Sequence, residues 1–170
     1  MNDYRIEPAT ARHVPHLPAI ERAAATLLAG YAPAAALENG LTAGEFARAR
    51  EEQRLWIALN GDTPVGFALV EHFAPKHVHL AEMDVHPDHG RRGVGRQLLT
   101  HVLAALGDSG VITLTTFRDP PWNRPFYASL GFEEWPETRW NAPLRACVER
   151  EEAHGLARRT RIIMGRALPF

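Results

Sequence analysis

His86-Pro87-Asp88-His89-Gly90-Arg91-Arg92-Gly93-Val94-Gly95-Arg96-Gln97-Leu98-Leu99 joins an apolar, strand-like stretch, Val78 to Val85, to a helical pattern, Val94, Leu98, Leu99, Val102, Leu103, Leu106. A strand, a glycine turn and a helix aim free backbone N–H groups at an anionic ligand. Gly93 and Gly95 remove side chains where a phosphate would approach, and Arg91, Arg92 and Arg96 add positive charge. The segment reads as a phosphate-binding turn; a plain strand-to-helix turn with solvated arginines is the competing reading.

Two common phosphate loops do not fit. A nucleoside-triphosphate loop ends in Gly-Lys-Ser/Thr, whereas Gly95 is followed by Arg96 and Gln97. A dinucleotide fingerprint needs a third small residue, and that position holds Leu98. The turn instead resembles the Arg/Gln-x-x-Gly-x-Gly/Ala signature of the GNAT superfamily, the acetyl-CoA-dependent N-acetyltransferases. The resemblance rests on Gly93 and Gly95, on the preceding Val85-His86-Pro87, and on the helix opening Arg96-Gln97-Leu98-Leu99. It departs at Gly90, which stands where the signature has Arg or Gln, and Arg91 is the expected replacement.

Downstream, Asp119-Pro120-Pro121-Trp122-Asn123-Arg124-Pro125-Phe126-Tyr127-Ala128-Ser129-Leu130-Gly131-Phe132 is similar to the superfamily's Asn…Phe-Tyr-x-x-x-Gly-Phe segment. Phe126, Leu130 and Phe132 read as core packing. The resemblance places the Tyr127 hydroxyl beside the coenzyme sulfur, where a phenol can protonate the departing thiolate. It places Asn123 on the coenzyme arm; a helix N-cap is the alternative role. Met83, Val85, Gly90, Arg91, Arg92, Gly93, Val94, Gly95, Arg96, Asn123 and Tyr127 are then the expected coenzyme contacts, with the Val85 N–H as donor to the thioester oxygen. The donor is acetyl-CoA, as co-substrate.

Length and composition bound the rest. A chain of 170 residues suits one domain, 1–170. An apolar fraction of 45% with 23% charged residues is ordinary for a globular protein. No stretch approaches the roughly 20 apolar residues of a membrane span. Met1-Asn2-Asp3-Tyr4-Arg5 lacks a secretory leader pattern, so a cytoplasmic location is the expectation. With 19 basic and 20 acidic residues there is no overall field for nucleic acid. Cys147, the only cysteine, excludes a disulfide framework. His72, His77, His79, His86 and His89 crowd one region without the third and fourth ligands a metal needs, so no metal is expected.

Along the chain, Tyr4 to Glu7 reads as a strand, followed by a helix with the stripe Val14, Leu17, Ile20, Ala24, Leu27, which Pro18 re-starts. Gly30 to Leu41 is a loop, and Thr42-x-x-Glu45 is a capping box opening a second helix. Leu55–Leu59 and Val65–Phe73 form a hairpin about Asn60-Gly61-Asp62. The strand Val111–Thr116, a short helix Asn123–Leu130, a strand at Phe132–Trp135, a helix from about Leu144 to His154 and a strand near Thr160–Met164 complete the order. This is an α/β (α+β) domain. The resemblance implies a mixed, mostly antiparallel sheet with splayed central strands, flanked by helices.

Acetyl transfer to an amine needs a neutral nucleophile. On the strand before the turn, Glu82 and Asp84 point one way and Met83 and Val85 the other, unless a bulge intervenes. Glu82 is the first candidate base, His79 the second, and a water chain the third. The acceptor wall offers Tyr31, Phe46, Phe73, Trp122, Trp135 and Trp140, which suit a modest amine with an apolar body, though core packing explains several equally well. A small-molecule amine, a protein amine and a non-catalytic acyl-CoA sensor all stay open. So does the oligomeric state, a homodimer through the sheet edge or C-terminal segment being one option.

Overall fold

Odd and even residues of β2 (Leu55–Asn60) go to different layers. Leu55, Ile57 and Leu59 pack with α1 (Leu17–Ala25) and α3 (Ala43–Glu51), while Trp56 and Ala58 pack on the opposite side. That period of two is what a strand buried on both faces requires. The computed structural model describes residues 4–108 and 110–169, so Met1-Asn2-Asp3 lie outside the described residues. Before β2 the chain runs β1 (Tyr4–Pro8), α1, α2 (Ala34–Leu37) and α3. After it come β3 (Thr63–Ala74), β4 (His77–Val85), α4 (Val94–Leu106), β5 (Val111–Phe117), α5 (Asn123–Ala128), β6 (Glu133–Glu134), α6 (Ala142–Ala153) and β7 (Arg161–Ala167).

The strands form one seven-stranded sheet in the order β1-β2-β3-β4-β5-β7-β6. Only β4 and β5 run parallel; every other neighbouring pair is antiparallel. The parallel pair is linked by α4, which covers one face with Leu98, Leu99, Val102 and Leu103, all fully buried. Each such leucine contributes about 1.5–3 kcal/mol relative to an exposed position. On the other face α1 and α3 cover β2 and β3, and α6 covers β5 and β7 through Leu144, Val148, Ile163 and Trp135.

Two irregularities shape the site. β4 pairs with β5 only from His77↔Val111 to Leu80↔Leu114, after which the two strands part. Beyond that point β4 follows β3 and β5 follows β7, so the sheet opens at its centre. The second is a bulge in β4, where Val70 faces Leu80 but Leu69 faces Glu82, leaving Ala81 without a partner.

Local signals act as expected at several points. Thr42 and Glu45 form the capping box, Thr42 N–H donating to Glu45 Oε2 at 2.7 Å and Glu45 N–H to Thr42 Oγ1 at 3.2 Å. A 3₁₀ turn at Val14–His16 gives way to α1 with Pro18 in its first turn. α4 ends at Gly107, with φ 55°. The loop expected from Gly30 to Leu41 contains the short α2, and β6 keeps only two residues. No described helix is long and apolar enough to cross a membrane.

Candidate active site

The opening between β4 and β5 is part of a cavity of about 1200 Å³. One wall is the glycine turn. Gly93 caps α4 with φ 80°, a conformation that costs a glycine little, and a Cβ added there would meet only Gln97 Nε2 at 3.9 Å. Gly90, Arg91, Gly93, Val94, Gly95 and Arg96 all line the cavity, whereas Arg92 is exposed and not part of the lining. The Val94 side chain is buried against Tyr4, Ala58 and Val65, so its backbone is what reaches the cavity. Arg96 Nη2 donates to Ser129 Oγ at 2.6 Å.

The departure at Gly90 has a visible cause. Gly90 has an ordinary extended backbone (φ −63°, ψ 153°), and a Cβ on it would lie 3.1 Å from the Pro87 carbonyl oxygen. Arg91, beside it, adopts the left-handed φ of 59° that favours glycine. The exposed arginine therefore sits at the strained position of the turn and the glycine at the relaxed one.

The lips of the opening carry backbone and side-chain polar groups. His86 N–H donates to Val65 O at 2.8 Å, toward β3. N–H groups alternate along a strand, so those of Val85 and Met83 point the other way, into the gap left by β5. Glu82 and Asp84 emerge on the face that carries α1 and α6. Both line the cavity and keep part of their surface open to it. Burial, then the charge of Asp84, pushes Glu82 well above the usual carboxylate range. Burial, then the charge of Glu21, raises Asp84 to about 7.

Across the opening, Tyr127 packs edge-on between Phe126 and Phe132, with ring centroids 5.0 and 5.9 Å away. Its hydroxyl has no hydrogen-bond partner among the described residues. Burial, then Asp84 and Glu82, raises its pKa, so the phenol keeps its proton. Asn123 also lines the cavity; its Nδ2 donates to Phe117 O at 3.3 Å, and Trp122, not Asn123, occupies the helix N-cap.

His79 stands apart from this group. It is 2% exposed, lies outside the cavity lining, and stacks on Phe73 at 4.5 Å. Asn141 Nδ2 lies 2.7 Å from His77 Nδ1, Thr113 Oγ1 lies 2.7 Å from His77 Nε2 and 2.8 Å from His79 Nδ1, and His79 Nε2 lies 3.8 Å from Cys147 Sγ. One consistent direction of donation runs from Asn141 through His77 and Thr113 to His79, with both imidazoles neutral. Burial lowers both pKa values, that of His79 to about 3. A neutral ring whose acceptor nitrogen is already occupied cannot take a proton from the cavity.

The far wall was not legible in the motifs. Arg161 on β7 donates from Nη2 to Thr115 Oγ1 at 3.0 Å and to Glu151 Oε1 at 3.2 Å, and lies 4.3 Å over the Phe117 ring. Thr115 also donates to Glu151. This network fastens α6 to the sheet and brings Cys147, Arg150, Glu151 and His154 to the cavity. Of the aromatic residues expected at the acceptor wall, Trp122 lines it, with Tyr31 edge-on at 5.8 Å. Phe46 and Trp135 are core residues, and Phe73 and Trp140 pack beneath α6.

Known proteins share this fold. Residues 51–134, from the end of α3 through β6, match the acetyltransferase (GNAT) domain family. A stretch of 58 residues is 47% identical to mycothiol acetyltransferase of Streptomyces avermitilis, covering 34% of this chain but only 19% of that relative. The PaiA N-acetyltransferase of Thermoplasma acidophilum, solved with coenzyme A, superposes with a TM-score of 0.75 at 14% identity, over 98% of this chain and 99% of its own. The ribosomal-protein-S18-alanine N-acetyltransferase of Escherichia coli gives 0.69 at 19% identity, over 99% and 96%. The family match spans the splayed strands and the glycine turn over just under half of the chain, and the fold is that of these N-acetyltransferases along the whole chain.

Proposed function

We propose that the protein is an acetyl-CoA-dependent N-acetyltransferase that acts by direct transfer on a small-molecule amine. The observation that carries this reading is the gap between β4 and β5, with an ionisable carboxyl pair on one lip and an unpartnered phenol on the other. The pyrophosphate of coenzyme A lies on the amides of the turn from Arg91 to Arg96, and the pantetheine arm enters the gap. Met83 and Asn123 flank the arm. Asp84 takes the ammonium proton, with Glu82 protonated beside it. The neutral nitrogen attacks the thioester carbon, and the Val85 N–H receives the developing oxyanion. The C–S bond then breaks, Tyr127 protonates the thiolate, and the proton that the adduct nitrogen loses to become a neutral amide restores the phenol, while Asp84 returns its proton to solvent.

A covalent enzyme intermediate is not needed, and burial raises the Cys147 thiol to about 11, which disfavours its thiolate. The small-molecule reading is supported by α6 and the Tyr31–Trp122 contact, which wall in the acceptor side. Calorimetry with coenzyme A, followed by thiol release from acetyl-CoA over an amine panel, tests the proposal. Binding together with turnover supports it, and tight binding with no turnover on any amine would leave an acyl-CoA sensor. Absence of binding at millimolar ligand overturns both readings.

A further inference from the structure

α6 walls the cavity, yet among its described side chains only Leu144 and Val148 are buried. Polar contacts supply the rest of its hold, and they begin at its first turn. Asn141 Oδ1 accepts the Leu144 N–H at 3.1 Å, which caps the helix. A backbone N–H can only donate, so this contact fixes the amide, and Nδ2 is the group that lies 2.7 Å from His77 Nδ1. His77 Nδ1 is then an acceptor and its proton sits on Nε2, which donates to Thr113 Oγ1 at 2.7 Å. The Thr113 hydroxyl donates in turn to His79 Nδ1 at 2.8 Å, and the His79 Nε2–H faces Cys147 Sγ at 3.8 Å, back on α6. One helix cap dictates the tautomers of two buried imidazoles.

Such a chain has no place for an extra proton. A protonated His77 presents an N–H at Nδ1 to the Asn141 amide N–H₂, donor against donor. Rotating the amide restores that contact only by turning N–H₂ toward the Leu144 N–H, and the cap is lost. His77 is 5% exposed, but Asn141 lies at the surface, so a proton reaches the ring from the end of the helix. The surroundings give an imidazolium no counter-charge. Phe73 and Trp135 flank His77, with Thr113 and His79 beyond. His79 meets Phe73 and Cys147 and feels the cations Arg150 and Arg161, while Glu71, opposite it on β3, is exposed. Among the described residues the only histidines in ion pairs are His13 and His86. Burial accordingly holds the His77 pKa below its ordinary value.

We propose that Asn141 and His77 form an acid-sensitive latch on the cavity wall, in which proton uptake by His77 releases the first turn of α6. The latch is fully closed above the ordinary imidazole value and opens as pH falls through the lowered one. α6 carries Cys147, Arg150 and Glu151 to the cavity, so that wall loosens in acid. The latch rests on these hydrogen bonds and not on the reaction assigned to the cavity.

Amide hydrogen exchange of the unmodified protein over a pH series, corrected for intrinsic rates, tests it. Protection of the amides from Leu144 to Val148 should be constant above about pH 6.5. Once His77 takes up its proton it should fall by about tenfold per pH unit, the slope of one proton bound on opening, with α4 unaffected. Asn141→Ser keeps a cap for the Leu144 N–H and removes the amide from His77, so its α6 protection should not follow pH. Asn141→Asp caps the helix and also accepts from a protonated His77, so protection should hold there too. Proton–nitrogen correlation spectra at neutral pH should show both rings protonated at Nε2. Flat protection in the unmodified protein, a parallel loss in α4, an equal slope in Asn141→Ser, or a proton on His77 Nδ1 at neutral pH would each overturn the latch. None of these readings depends on turnover, so acetyl transfer stands or falls separately.

Discussion

Leu80 and Glu82 sit two residues apart on β4 and face opposite sides of the sheet. Leu80 packs beneath α4, while Glu82 opens into the cavity on the side of α1 and α6. The cause is the extra residue Ala81, which has no partner on β3 and reverses the alternation of the strand. Without that bulge Glu82 and Asp84 would be driven into the leucine-rich layer under α4, and Met83 would turn to the side of α1 and α6. The same bulge lies just past the last β4–β5 pair, so one irregularity serves both to turn the carboxylates outward and to begin the gap.

The carboxyl pair sets the pH dependence. A base must be ionised to accept a proton, and Asp84 is raised to about 7 while Glu82 stands higher. The rate is therefore expected to rise with pH through a limb near 7 and to level off above it. Asp84→Asn should remove that limb and lower kcat by about 10²-fold. Glu82→Gln, which can still donate a hydrogen bond to Asp84, should retain it. The reverse pattern in the two pH–rate profiles would make Glu82 the base. Stability carries the opposite sign: a carboxyl whose folded pKa is raised favours the native state below its unfolded pKa, near 4, and loses that contribution as pH climbs through 7. Asp84→Asn should therefore raise Tm more at pH 8 than at pH 4.

Tyr127 is held by its ring and free at its hydroxyl. Replacing it by Phe preserves the contacts with Phe126 and Phe132. Loss of the proton donor is then expected to lower kcat by about 10²-fold with the coenzyme Kd nearly unchanged. An unaltered kcat in steady-state assays would reject the donor role.

His79 shows the limit of spacing as a guide. In the sequence it shares a strand with Glu82 and carries a suitable imidazole; what removes it from the cavity is α6, packed over it from more than sixty residues away. Thr113 satisfies both buried histidines, so Thr113→Val should leave two ring nitrogens short of a partner and destabilise the fold by about 1–3 kcal/mol. Denaturant unfolding would measure that loss. The acid limb of the pH–rate profile should persist, and its disappearance would return His79 to the mechanism.

What could be read in advance follows the range of the forces involved. β2 to β5 and α4 were legible because hydrophobic period, the Asn60-Gly61-Asp62 turn, the Thr42 cap and Gly107 are local. The turn was legible because glycines between a strand and a helix mark a run of free backbone amides, whereas Tyr127 was singled out by resemblance to the superfamily's aromatic segment. α2 escaped because four residues in an alanine-rich loop show no period. The bulge escaped because Leu80-Ala81-Glu82 carries no marker of its own; pairing with Val70 and Leu69 creates it. Glu21, Glu151 and Arg161 belong to the site only through tertiary packing, for which single-strand or single-helix patterns hold no information.

The transposed pair Gly90 and Arg91 gives a further test, because stability and coenzyme affinity should part. Arg91 at φ 59° pays steric strain that glycine would not, typically about 1–3 kcal/mol at such positions, partly offset by the flexibility glycine adds to the unfolded chain. If the arginine is kept there for its charge beside the coenzyme phosphates, Arg91→Gly should weaken coenzyme A binding by about tenfold, the worth of one charge-assisted phosphate contact, while Tm holds or rises. Acetyl-pantetheine lacks the pyrophosphate, so its kcat/KM should not respond to the change. A fall in Tm with coenzyme affinity intact would show instead that Arg91 holds the turn, and would leave phosphate recognition to the backbone amides and Arg96.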